Sequence, residues 1–131
     1  MKTKSIFIIA IAFVAVSLTS CKKDKEDPTI SVVEPDDHQH FIWGEEVHVE
    51  ANFTDDQALK SYDVSIQDDA GNISTDFNFH YTGDLEGATG YFHEHAIVPD
   101  SCMSMGYVSF TISDMEDKTV TEKRMVHFDP Q

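Results

Sequence analysis

The chain has 131 residues, 40% of them apolar, with 24 Asp and Glu against nine Lys and Arg and a net charge of −15. That length holds one domain with a core of its own. So acidic a surface repels phosphate backbones, which bind through Lys and Arg, so nucleic acid is excluded as a partner; it attracts cations instead.

The first twenty residues read as a leader. Lys2 and Lys4 precede an apolar run from Ile6 to Val16. This run is shorter than the roughly 20 residues a membrane-spanning helix needs, and it has the build of a secretory signal peptide. The next residues, Leu18-Thr19-Ser20-Cys21, resemble the lipobox of bacterial lipoproteins. That resemblance implies cleavage after residue 20 and acylation of Cys21, so that lipid anchors the chain in a membrane. The expected location is the outer membrane, on its periplasmic face or at the cell surface.

Loss of the leader leaves seven basic against 24 acidic side chains, a net −17. Residues 21–28 (Lys22-Lys23-Asp24-Lys25-Glu26-Asp27-Pro28 after the cysteine) have nothing to bury and form a flexible tether. A lysine with acidic residues behind a lipid-bearing cysteine resembles the surface-export signal of Bacteroidetes lipoproteins; a solvated spacer facing the periplasm fits the same residues. With Cys21 lipidated, Cys102 has no intrachain partner.

From Thr29 to Gln131 the pattern is that of one all-β domain: short period-2 runs, turn residues between them, and no helical repeat. Thr29–Val33 is the first run, and Glu46–Phe53 the second, with Val47, Val49, Ala51 and Phe53 on one face and His48, Glu50 and Asn52 on the other. Leu59–Gln67 follows, bringing Tyr62, Val64 and Ile66 together, before a turn at Asp68-Asp69-Ala70-Gly71-Asn72. Thr75–Tyr81 is predicted as a strand with Phe77, Phe79 and Tyr81 inward, and Thr82–Gly90 as a loop. Tyr91–Val98, Gly106–Ser113 and Thr119–Phe128 complete seven strands. Seven short strands in about a hundred residues predict an antiparallel sandwich of the immunoglobulin-like or fibronectin type. An up-and-down barrel has the same periodicity.

Pro28-Thr29-Ile30, Gly44-Glu45-Glu46-Val47, Phe53-Thr54-Asp55-Asp56 and Leu59-Lys60-Ser61-Tyr62 are similar to pieces of bacterial Ig-like modules. His93-Glu94-His95-Ala96-Ile97-Val98-Pro99, with Gly106-Tyr107 and Ser113-Asp114, resembles a His-rich lipoprotein domain of Bacteroidetes that has no assigned function. The resemblance spans Pro28 to about Phe128. It departs from that family at Gln67-Asp68-Asp69, where histidines are expected.

Seven histidines are present, and two pairs are spaced i, i+2: His38/His40 and His93/His95. Two steps along a strand return a side chain to the same face about 6.5 Å further on, within reach of one metal ion. In an Ig-like sheet the strands carrying His48 and His93/His95 are neighbours. With Ala96 and Val98 inward, three imidazoles share a solvent face with Glu50, and Glu94 is forced inward. Zinc or copper is the matching ion, with His48, His93 and His95 as ligands. His38, His40, His80 and Cys102 form a second rank of candidates; in Cys102-Met103-Ser104-Met105 the thiol and thioethers favour Cu(I).

Asp55 and Asp56 after one strand, and Asp114, Glu116 and Asp117 after another, fall at one end of an Ig-like sandwich. Carboxylates gathered there can hold calcium, or can close turns through backbone hydrogen bonds. The chain has no Gly-X-Ser-X-Gly, no phosphate-cradling Gly-rich loop and no His-Glu-X-X-His, so binding is expected rather than catalysis. Two readings stand: a metal-binding envelope domain, and a protein–protein accessory module of a larger surface complex.

Overall fold

A computed structural model describes residues 25–131. The proposed leader, Cys21 with its expected lipid, and the first part of the tether lie outside these residues. Eight strands and no helix are found among them: β1 (Thr29–Glu34), β2 (Gln39–Ile42), β3 (Glu46–Thr54), β4 (Leu59–Gln67), β5 (His80–Asp84), β6 (Thr89–Ile97), β7 (Met105–Asp114) and β8 (Thr119–Asp129). They form a three-stranded sheet in the order β1-β3-β6 and a five-stranded sheet in the order β2-β8-β7-β4-β5. Two separate sheets with free edges dispose of the barrel.

The inward faces are those that the alternation predicts. Val47, Val49, Ala51 and Phe53 of β3 are fully buried, opposite Val64 and Ile66 of β4, Val108, Phe110 and Ile112 of β7, and Val126 and Phe128 of β8. Aromatic rings join the layers: Phe53 and Phe92 of the small sheet lie 6.5 and 5.6 Å from Tyr62 of the large one. Close approach also shapes the entry to β7, where a Cβ on Gly106 would stand 2.4 Å from the Gln67 carbonyl oxygen. Only glycine lets β4 and β7 meet there.

Two expectations are corrected. The strand count is eight, not seven, because the chain between Glu34 and Gly44 crosses from one sheet to the other and adds β2. That strand runs parallel to β8, pairing Gln39–Ile42 with Val126–Asp129, so the sandwich is not wholly antiparallel. The strand expected over Thr75–Tyr81 forms instead at His80–Asp84, which pairs with Ser61–Ser65. Phe77 and Phe79 are buried as predicted, but they reach the core from an irregular segment. Apolar alternation records which side chains are covered; it does not record whether the backbone has a ladder partner. The loop expected over Thr82–Gly90 accordingly shrinks to the residues between Asp84 and Thr89.

β6 is an edge strand, paired with β3 on one side and open on the other. Along it Tyr91, His93, His95 and Ile97 are exposed, while Phe92 is buried and Glu94 and Ala96 are half-buried. Glu94 thus takes the inward phase, opposite Val49.

Candidate metal centre

The register of β3 and β6 brings the three histidines together. His48 pairs directly with His95 and Glu50 with His93, so all three imidazoles stand on the outer face of the small sheet. Directly paired side chains start about 5 Å apart at Cβ, and the i, i+2 neighbour closes the triangle. One nitrogen from each ring lies within 4.8 Å of the others. Among the described residues this is the one group of three or more His, Cys, Asp or Glu side chains so disposed.

The orientation of the rings matters as much as their distance. The His48 and His93 planes are 15° apart at 6.2 Å, and His95 stands edge-on to both, at 88° and 75°. The Nδ1 atoms of His48 and His95 are 3.3 Å apart. Two nitrogens each bound at about 2.05 Å to one tetrahedral zinc ion stand about 3.3 Å apart, so no backbone movement is needed to reach ligand spacing.

A carboxylate stands beside the triad. Oε1 of Glu46 lies 3.0 Å from Nε2 of His48 and 3.6 Å from Nδ1 of His95. A carboxylate behind an imidazole is the usual support of a metal-bound histidine. Sequence reasoning put Glu50 on this face and did not single out Glu46. Partial desolvation, and then the Glu50 carboxylate, raise the Tyr91 phenol above its ordinary value.

The other candidates are placed elsewhere. His80 sits by itself, 3.2 Å from Asp63. His38 and His40 lie across the molecule on and beside β2, where both rings stack on His127, a residue that the spacing arguments did not single out. Cys102 is half-buried near Asp76, and desolvation followed by that carboxylate pushes its thiol above its ordinary value. A protonated thiol is a poor ligand and a poor nucleophile.

The carboxylates proposed for calcium do share one end of the sandwich: Leu59 pairs with Asp114, and Met115 N–H donates to the Ala58 carbonyl. Asp114 is wholly buried; its Oδ1 accepts from Glu116 and Lys118 N–H, and its Oδ2 lies 3.6 Å from the Lys118 ammonium. Asp55 Oδ2 accepts from Gln57 N–H, and Asp117 pairs with the Lys60 ammonium. Turn closure and two lysines engage these groups, and Asp56 has a partner of its own.

The fold occurs in larger proteins. A catalytically inactive OgpA from Akkermansia muciniphila, solved with an O-glycopeptide substrate, matches with a TM-score of 0.51 and 18% identity over 85% of this chain and 32% of its own. The sialic acid binding region of a Streptococcus sanguinis adhesin matches with a TM-score of 0.51 and 17% identity, over 83% and 31%. The chain therefore spans about a third of either structure, and at these identities the likeness is one of fold alone. No curated protein matches. A domain family of unknown function, DUF4625, matches residues 17–127. Most of the chain lies within that match, and the protein belongs to the DUF4625 family.

Proposed function

We propose that this protein is a lipid-anchored envelope protein whose Ig-like domain binds a transition metal ion, Zn²⁺ or Cu²⁺, through His48, His93 and His95. The observation that carries the reading is the triad itself: three imidazoles from two paired strands, ligand nitrogens within 4.8 Å, and a carboxylate oxygen 3.0 Å from Nε2 of His48. Such a set suits zinc and copper, and three ligands leave a coordination position open. The acidic body adds a long-range attraction for cations.

The anchor rests on Lys2, Lys4, the apolar run and Leu18-Thr19-Ser20-Cys21. With lipid on Cys21 the metal site stands outside the cytosol, at the outer membrane on either face.

The test uses the domain without its leader and with Cys21 replaced by Ser. About one equivalent of Zn²⁺ binds at this site and raises the melting temperature, because ligand held at 100 times its Kd stabilises by about 2.7 kcal/mol. Replacing His93 and His95 together by Asn abolishes that uptake; unaltered uptake removes the reading. A second reading, an accessory module for another envelope protein, is favoured by Tyr91 and Ile97, each 58% exposed beside the triad on an open edge. It predicts co-purification with a membrane protein that chelators do not disrupt.

A further inference from the structure

Six of the seven histidines fall into two clusters, and the second lies on the five-stranded sheet, where β2 runs parallel to β8. His40 pairs with His127 in register, and His127 pairs on its other side with Met105 of β7. Phe41, Val126, Phe128 and Gly106 are buried, so His40, His127 and Met105 take the opposite, outward phase. They make a cross-strand row of imidazole, imidazole and thioether. Directly paired side chains start about 4.5–5.5 Å apart at Cβ. Asp129, two residues beyond His127, holds His40: Nδ1–H donates to its Oδ2 at 2.7 Å, which leaves Nε2 with the free lone pair. His38 closes the cluster, stacked on His127 with ring centroids 5.9 Å apart.

We infer that His40, His127 and Met105 form a second metal site, and that its ligand is copper. The thioether makes the choice. Sulfur is a soft donor that favours Cu(I), and imidazole accepts either copper oxidation state, whereas the triad of β3 and β6 offers nitrogen alone and takes zinc or copper. The two sites also differ in readiness. His40 and His127 are nearly parallel, 17° apart with centroids at 4.5 Å, so their lone pairs run side by side instead of meeting. One ring must turn about χ2 to share an ion with the other. That torsion is broad for histidine, and because Asp129 holds His40 through Nδ1, the turn falls to His127, whose ring stacks on His38 and His40. The second site therefore closes around its ion, where the first has ligand spacing in advance.

This inference does not depend on the zinc reading of the triad. The test titrates the leaderless protein with Cu(I) buffered by bicinchoninate under ascorbate, and separately with Zn²⁺. Expected are one Cu(I) equivalent that survives in the His93→Asn/His95→Asn variant and is lost in the His40→Asn/His127→Asn variant. Met105→Leu weakens Cu(I) at least about tenfold and leaves Zn²⁺ uptake as in the parent, as a soft ligand requires. Far-ultraviolet circular dichroism of each variant shows that the sandwich is intact. Loss of all Cu(I) binding in the His93/His95 variant, or undiminished uptake in the His40/His127 variant, overturns the site. Equal loss of Zn²⁺ and Cu(I) in Met105→Leu overturns the copper preference.

Discussion

Replacing Glu46 by Gln separates a metal site from a chance gathering of surface histidines. Oε1 of Glu46 lies 3.0 Å from Nε2 of His48 and 3.6 Å from Nδ1 of His95. A carboxylate behind a metal-bound imidazole raises affinity about 10–100-fold. Here the Glu46 and His48 side chains are 47% and 45% exposed, so water screens the pair and the lower end applies: about tenfold, or about 1.4 kcal/mol. Gln has the shape and size of Glu, so the substitution removes the charge and leaves the packing in place. The assay is isothermal titration with Zn²⁺ at low ionic strength on the parent, Glu46→Gln and His95→Asn. The expected result is a Kd about tenfold weaker at unchanged stoichiometry, with the gap narrowing as salt is added. An unchanged Kd refutes the supporting role of Glu46. A loss as complete as that of His95→Asn refutes it from the other side, since it makes Glu46 a ligand.

Two further outcomes concern the scaffold. Phe110, fully buried between the sheets, should cost about 3–5 kcal/mol when cut to Ala, a large share of a small domain's stability, measured by urea unfolding. Asp68 carries the pH dependence of the β4–β5 connection. Its Oδ1 accepts from Asn72 N–H at 2.8 Å and Ala70 N–H at 3.0 Å, and the Asn72 bond leads in holding its carboxyl below the ordinary 3.8. The folded value is the lower one, so this contribution is complete above the ordinary value and is lost as pH falls through the lowered one. Asp68→Ala should therefore destabilise fully at about pH 7 and progressively less as pH falls below the ordinary carboxylate value, and an effect that does not change with pH contradicts the assignment.

The small sheet was legible because β3 and β6 each have one buried face. Val47, Val49, Ala51 and Phe53 fix the phase of β3, which places His48 outward; Ala96 and Val98 do the same for His93 and His95. Adjacency of the two strands followed from the order of an Ig-like chain, and direct pairing then supplied the triad. β2 was not legible. Four residues in an acidic, turn-rich stretch show too little alternation, and their partners lie more than eighty positions away, in a parallel pairing that no hairpin announces. The His40–His127 stack was hidden with it, because neither residue has a sequence neighbour that implies the other. Phe77 and Phe79 misled for the opposite reason: burial from an irregular segment wrote a strand-like pattern where the ladder is absent.

Glu94 has a consequence for how copies of this protein meet. Its carboxylate lies half-covered at the rim of the sandwich, on the strand whose outer edge still has bare amides and carbonyls. An incoming strand that docked there would seal that charge from water, at a cost greater than a few ladder hydrogen bonds return. One acidic residue thereby works against the histidine-bearing border zipping onto a second copy of the chain, and leaves that border open to solvent.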